Sequence, residues 1–152
     1  MTEPRFAIRR ARWDRDAPAL RQVRAQVFIE EQGVPPALEW DAADPLAMHL
    51  LALAPGGVPI GTARLLPSGQ IGRMAVLRPW RGRGIGRRLL QKLLGSALAE
   101  GYPVTFRNAQ RRVRGFYQRQ GFHPVGPEFL EAGIPHHRMI LATARESDPA
   151  IA

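Results

Sequence analysis

The run Arg81-Gly82-Arg83-Gly84-Ile85-Gly86 constrains this chain more than any other feature. It follows a strand-like stretch, Gln70 to Leu77, closed by Pro79. It leads straight into Ile85, Leu89, Leu90, Leu93, Leu94, Ala97 and Leu98, an apolar stripe at helical spacing with Arg87, Arg88, Gln91 and Lys92 on the other face. A strand, a tight turn and a helix are predicted in that order. Glycines let the backbone turn sharply and bring its N–H groups against a ligand. At a helix N-terminus the first amide protons lack partners and the dipole favours an anion. Arg81, Arg83, Arg87 and Arg88 add donors suited to phosphate oxygens. The physical reading is a pyrophosphate cradle; the plain alternative is a strand-to-helix connection with no ligand. Two phosphate motifs are excluded: no G-x-x-x-x-G-K-[ST] occurs, and Arg87 stands where a dinucleotide fingerprint needs its third glycine.

Other elements fall around this unit. Phe6 to Arg10 reads as a first strand, and Asp16-Ala17-Pro18 as the start of a helix to about Glu31, with Asp16 as cap. Gly33-Val34-Pro35-Pro36 breaks that helix, and an irregular acidic connection runs to Pro45. Strands at 49–53, 59–66 and 70–77 are joined by tight turns into an antiparallel meander. Val104-Thr105-Phe106 is a strand, Gln110 to Gln120 a short helix, and two last strands hold Val125 and His137 to Leu141. The order β-α-βββ-α-β-α-ββ argues for an α/β fold, a mixed sheet with helices on both faces.

At 152 residues, 45% hydrophobic, the chain suits one globular domain, expected over 1–145 with 146–152 a frayed tail. It has no cysteine, which excludes a disulfide framework, a thiolate metal site and an acyl-cysteine mechanism. No H-E-x-x-H pattern occurs, so no metal is expected. No apolar run approaches the ~20 residues that span a bilayer, and no signal-peptide core is present, so a cytoplasmic protein without a membrane partner is expected.

The net charge of +9 is unevenly placed. Residues 64–119 sum to +12, whereas 25–63 hold no base and five acids: Glu30, Glu31, Glu39, Asp41 and Asp44. One segment is suited to an anion and the other to a cation. The acidic stretch is expected to rim a pocket for a cationic amine, with a solvated loop as the alternative for any single carboxylate. A uniformly basic nucleic-acid binder would not show this division. Arginines at 107, 111, 112, 114 and 119 beside Phe106, Phe116 and Tyr117 keep that class only as a runner-up.

Arg81-x-x-Gly84-x-Gly86 after a strand and Pro79 resembles the acyl-CoA-binding motif of the GNAT N-acetyltransferases. Further pieces resemble the ElaA-like branch in order and spacing: Arg24-Ala25-Gln26-Val27-Phe28-Ile29-Glu30-Glu31-Gln32, Glu39-x-Asp41-x-x-Asp44, Ala109-Gln110, Phe116-Tyr117 with Gly121-Phe122, and Gly133-Ile134-Pro135-His136 with Met139. The resemblance implies a central, largely antiparallel, splayed sheet. It implies acetyl transfer from acetyl-CoA to a small-molecule or lysine-type amine, by direct attack in a ternary complex, by a monomer or homodimer. Backbone groups of Met74, Ala75 and Val76 would hold the pantetheine arm, with the Val76 N–H as oxyanion donor. Arg81, Gly82, Arg83, Gly84, Ile85, Gly86 and Arg87 would hold the pyrophosphate.

Tyr117 matches the family's general acid, which protonates the departing CoA thiolate; that thiol's unperturbed pKa of about 8.5 suits a phenol as donor. Asn108 and Phe116 are counted with the donor site, Phe116 also fitting a core position. Many family members carry a carboxylate base on the strand before the cradle, and 70–76 has none. Glu39 and His136 are the candidates, beside Asp41 and Asp44. For His136 a loop-anchoring hydrogen bond is the alternative. A CoA-binding sensor without turnover fits the missing carboxylate equally well.

Overall fold

The computed structural model describes residues 5–142; the tail expected to fray lies outside them. Strand β1 (Ala7–Ala11) pairs antiparallel with β2 (Met48–Ala54), β2 pairs antiparallel with β3 (Val58–Leu65), and β4 (Ile71–Val76) completes a sheet of order β1-β2-β3-β4. The expected meander is present. At the turn before β4, Gly69 is required twice over: its φ is 92°, and a Cβ there would lie 2.5 Å from the Val104 carbonyl oxygen.

Helices cover both faces of this sheet. Helix α1 (Trp13–Arg24) sets Leu20 against Leu51 and Ala11. Ala52 points the opposite way from Leu51 and pairs with Gly61. On that side lies α3 (Ile85–Ala99), whose Leu89 would be 3.3 Å from a Cβ at Gly61. Ile85, Leu89, Leu90, Leu93 and Ala97 of the predicted stripe are buried, and Arg87, Arg88, Gln91 and Lys92 are exposed. Leu94 is partly buried, and Leu98 is about half exposed.

The second sheet holds β5 (Val104–Gln110), β6 (His123–Glu131) and β7 (Ile134–Ala142), antiparallel in the order β5-β7-β6, with α4 (Arg114–Arg119) against β7. The strands form two sheets rather than one ladder. The parallel pairing of a mixed sheet is reduced, among the described residues, to a bridge between Gln70 and Phe106. Backbone contacts group into two compact units, each discontinuous in sequence: residues up to Pro67 with Gly72–Leu93, and Ser68–Ile71 with residues from Leu94 onward.

Two local features differ from the sequence reading. Helix α1 starts one turn early, at Trp13, so Asp16 is not its cap residue but reaches back from inside the helix. Its Oδ2 accepts from Arg12 N at 2.8 Å, and its carboxylate takes the Arg9 guanidinium at 2.9 and 3.0 Å. Beyond Arg24 the helix continues to Glu31 as expected, but as a π-helix over Ala25–Glu31, closed at Gly33 (φ 71°) with Val34 N bonded to Phe28 O at 2.9 Å. The connection beyond it contains α2 (Pro36–Glu39) and a 3₁₀ turn over Asp44–Leu46.

The hydrogen bond from Arg9 holds the Asp16 carboxyl far below the usual range, opposed by burial. A carboxyl depressed in the folded state contributes stability that is complete above its unfolded pKa, about 4, and is lost as pH falls through the folded value. Asp16→Asn is expected to cost about 1 kcal/mol at pH 7, since Arg9 is partly in solvent. The gap from the parent should narrow below about pH 4. Urea unfolding of both proteins at pH 7 and pH 2.5 measures it.

Candidate active site

Three features concentrate the chemistry: the cradle, an ion cluster beside β4, and the aromatic and histidine groups of the second unit.

Strand β4 ends at Val76, Arg78–Trp80 form a 3₁₀ turn, and α3 begins at Ile85. Gly82 and Gly84 take φ of 75° and 81°, and a Cβ at 82, 84 or 86 would meet nothing within 4 Å. The backbone thus demands glycine at 82 and 84, and open space remains at all three positions. Among the described residues no backbone carbonyl pairs with the N–H groups of Gly84, Ile85, Gly86 or Arg87; the first helical bond runs from Arg88 N to Gly84 O at 3.0 Å. These donors stand at the positive end of α3.

The arginines of this loop divide. Arg81 folds back: its Nε donates to Val76 O at 2.8 Å, and its guanidinium meets Glu31 at 2.8 Å. Arg78 takes the other Glu31 oxygen at 3.3 Å, and the Arg81 hydrogen bond leads in pulling the Glu31 carboxyl below its usual range. Arg83 lies over Trp80, 4.8 Å from the ring centroid, and Arg87 is exposed. Arg81 therefore braces the end of β4, while Arg83 and Arg87 stay at the surface.

The acidic connection is not an open rim. Fully buried Arg24 bonds Asp44 at 2.9 Å, Glu39 Oε1 at 3.3 Å and the Glu39 carbonyl at 3.1 Å. Arg64 bonds Asp44 at 3.0 Å and Asp41 at 2.9 Å. Arg73 pairs with Glu39 Oε2 by charge at 2.9 Å, without hydrogen-bond geometry at its Nε, and its Nη2 donates to Asp41 Oδ2 at 3.1 Å. Three guanidiniums cancel three carboxylates, and of the five acids in 25–63 only Glu30 lacks an ion pair among the described residues. The acidic rim expected for a cationic amine is not seen at Glu39, Asp41 and Asp44, because Arg24 and Arg64, which bound the base-free segment, fold into it. Glu39 is 2% exposed, with an arginine at each oxygen. Burial raises its carboxyl above the usual range, against the pull of Arg73 and Arg24. Asp41 is partly desolvated but held below its usual range by Arg64 and Arg73.

Neutral His49 completes the cluster. Its Nε2–H donates to the Asp44 carbonyl at 2.8 Å, Trp13 stacks on its ring at 5.1 Å, and burial pushes its pKa down. From the sequence, Arg64 and Arg73 have no assigned role and Arg24 stands only as the first residue of a family motif. The signal that could have found two of them is their position flanking a stretch with no base of its own.

In the second unit, Tyr117 is buried, edge-on to Phe116 at 5.1 Å and Phe122 at 5.5 Å. Phe116, which the sequence reading also allowed as core, is the less buried of the two. Asn108 sits within β5 rather than at its end, because the strand runs on to Gln110; its Oδ1 accepts from Arg138 Nε at 3.3 Å. His136 is 7% exposed and donates Nδ1–H to the Ile134 carbonyl at 2.7 Å. Its Nε2 lies 3.3 Å from Glu131, and Phe129 stacks on the ring at 6.0 Å. The loop-anchoring role is thus present at the β6–β7 turn. Met74, Ala75 and Val76 lie in β4, Ala75 buried among Val23 and Val27 with Phe28 and Leu77 alongside.

Residues 16–143 match the acetyltransferase (GNAT) domain family. The chain belongs to the GNAT family. The Bacillus subtilis (strain 168) protein named uncharacterized N-acetyltransferase YjcF is 35% identical over 123 residues, covering 78% of this chain and 86% of its own. The crystal structure of an acyl-CoA N-acyltransferase from Pseudomonas aeruginosa superposes with a TM-score of 0.81 at 29% identity, over 91% of this chain and all of that one. Escherichia coli ElaA superposes at 0.78 and 28% identity, over 90% of this chain and 99% of its own. The GNAT fold and the likeness to ElaA read from the sequence are both borne out. GNAT proteins use acetyl-CoA or other acyl-CoA donors, which places this chain among acyl-CoA-dependent transferases. No helix among the described residues is long and apolar enough to cross a membrane.

Removing one member of a buried ion cluster strands the others. Arg24→Ala leaves Glu39 and Asp44 short of a cation and is expected to cost about 3–5 kcal/mol in unfolding free energy. Arg12→Ala, whose partner Asp14 is exposed, should cost less than about 0.5 kcal/mol. Guanidinium chloride titrations of the two variants compare these directly.

Proposed function

We propose that this GNAT protein is an N-acetyltransferase that moves an acetyl group from acetyl-CoA to a primary amine by direct attack. The observation that carries the reading is the cradle: left-handed Gly82 and Gly84, open space where their side chains would be, and N–H groups at the start of α3 that no backbone carbonyl of the described residues takes. A pyrophosphate fits this set by charge and by donor type. Arg83, Arg87 and the amides of Gly84, Ile85 and Gly86 would hold it. The Met74–Val76 backbone would hold the pantetheine arm, with the Val76 N–H aimed at the carbonyl oxygen where negative charge develops.

Tyr117 is assigned as the acid that returns a proton to the departing thiolate, supported by the match of Phe116-Tyr117 with Gly121-Phe122 to the family pattern. Its ring is fixed between two aromatic edges, which limits the phenol to few orientations. For the amine proton, His136 is the better candidate than Glu39. Glu39 has a guanidinium at each oxygen, whereas His136 Nε2 faces Glu131, whose side chain is 56% exposed and can pass a proton to water. The absence of a carboxylate from β4 supports the second reading, a CoA sensor without turnover.

Thiol release from acetyl-CoA against a panel of small amines and lysine peptides separates the two readings. Turnover is expected with one amine class. Tyr117→Phe should lower kcat by about 10²-fold, the usual worth of a positioned acid. Gly84→Asp, which puts a strained and negative side chain into the cradle, should raise KM for acetyl-CoA by at least about 10²-fold. Tight CoA binding with no turnover on any amine would support the sensor, and no CoA binding would overturn both.

A further inference from the structure

Arg73 is a non-glycine residue held in the left-handed region, φ 47°, within a β-strand. Such a conformation is costly for a side-chain-bearing residue and persists only where its surroundings over-determine it. Here they do so from two sides. Its carbonyl accepts from Thr62 Oγ1 at 2.8 Å on the neighbouring strand. Its guanidinium meets Glu39 Oε2 at 2.9 Å, Asp41 Oδ2 at 3.1 Å and the Glu39 carbonyl at 3.2 Å. Both carboxylates are held in turn, Glu39 by Arg24 and Asp41 by Arg64, and these two arginines share Asp44. The chain of contacts is continuous from α1 to β4.

A left-handed residue within a strand re-aims the backbone that follows it, and Met74–Val76 follow immediately. We infer that Arg73 is a positioning residue: its ion pairs with Glu39 and Asp41 clamp the kink in β4 and so fix the Met74–Val76 backbone for the acyl donor. The inference rests on the reading that these backbone groups bind the pantetheine arm. It gives Glu39 and Asp41 a task on the donor side, distinct from that of a base or of an acceptor-binding rim. Arg81 braces the other end of the same segment through the Val76 carbonyl, so the stretch that would meet the donor is tethered by an arginine at each end.

Full-length parent, Arg73→Gly, Arg73→Lys and Asp41→Asn are compared by amide hydrogen exchange and by calorimetric titration with CoA. Glycine accepts the left-handed conformation but cannot hold it. Arg73→Gly is therefore expected to speed exchange across 72–77 by about tenfold while β2 and α3 keep their rates. It should also weaken CoA binding by about tenfold. Arg73→Lys keeps a charge but loses the fork and should fall between it and the parent. Asp41→Asn should weaken CoA binding in the same direction by a smaller factor. Faster exchange spread evenly through the chain, or none, overturns the clamp. Local loosening with CoA affinity unchanged overturns its role toward the donor. Failure of the parent to bind CoA would instead overturn the donor-site reading, and the exchange data still decide the clamp.

Discussion

The Asp44 carboxylate, shared by Arg24 and Arg64 at 2.9 and 3.0 Å, is the contact on which the surroundings of β4 depend. The connection from Gly33 to Ala47 has little apolar anchorage of its own: Leu38 is 69% exposed and Leu46 is 75% exposed. It is charge that pins it. Taking ions out of water costs several kcal/mol each, and mutual attraction repays that only where every partner is well placed. The cluster matches three cations with three anions, caps Arg24 with the Trp40 ring at 5.3 Å and keeps His49 neutral, although the buried Nε atoms of Arg64 and Arg73 lack a hydrogen-bond partner among the described residues. An apolar plug of equal volume would serve stability as well. What ions add is geometry, because a forked guanidinium fixes the angle as well as the distance of its carboxylate.

Much of this was legible before any coordinates. The stripe after Gly84 and the alternation of the meander follow from local periodicity, and local periodicity is what a sequence displays most directly. The glycine turn was legible for the same reason: glycine spacing, a helix start and flanking arginines all lie within one short run. The pairing of charges was not. Summing charge by segment treats 25–63 as acidic because it cannot see Arg24, Arg64 and Arg73 converge on Glu39, Asp41 and Asp44 from positions 15 to 34 residues away. The π register of Ala25–Glu31 leaves no mark in composition either, since Val27 and Phe28 suit an α-helical stripe equally well. Asp16 misled by resembling a cap: the same carboxylate serves the same helix start from one turn further in.

The basic surplus gains meaning once these pairs are discounted. Arg24, Arg64, Arg73, Arg78 and Arg81 all have internal carboxylate partners. The arginines that keep their charge outward near the cradle are those at 83, 87 and 88. A net charge of +9 is therefore weak guidance to a partner, and the proposed donor site draws instead on the exposed guanidiniums of Arg83, Arg87 and Arg88 beside the start of α3.

The segment from Gly72 to Gly86 meets one backbone problem in two ways. Gly82, Gly84 and Arg73 all occupy the left-handed region. At 82 and 84 the chain must leave room, and glycine supplies both the conformation and the space. At 73 the chain must be held, and a glycine would be free to leave. An arginine there is strained locally but tethered by Glu39 and Asp41, which turns an unfavourable φ into a fixed one. Rigid backbone beside open backbone is the combination that donor recognition through N–H groups requires. Amides lose nothing on ordering when they are already placed, and a ligand needs room only where its phosphates lie.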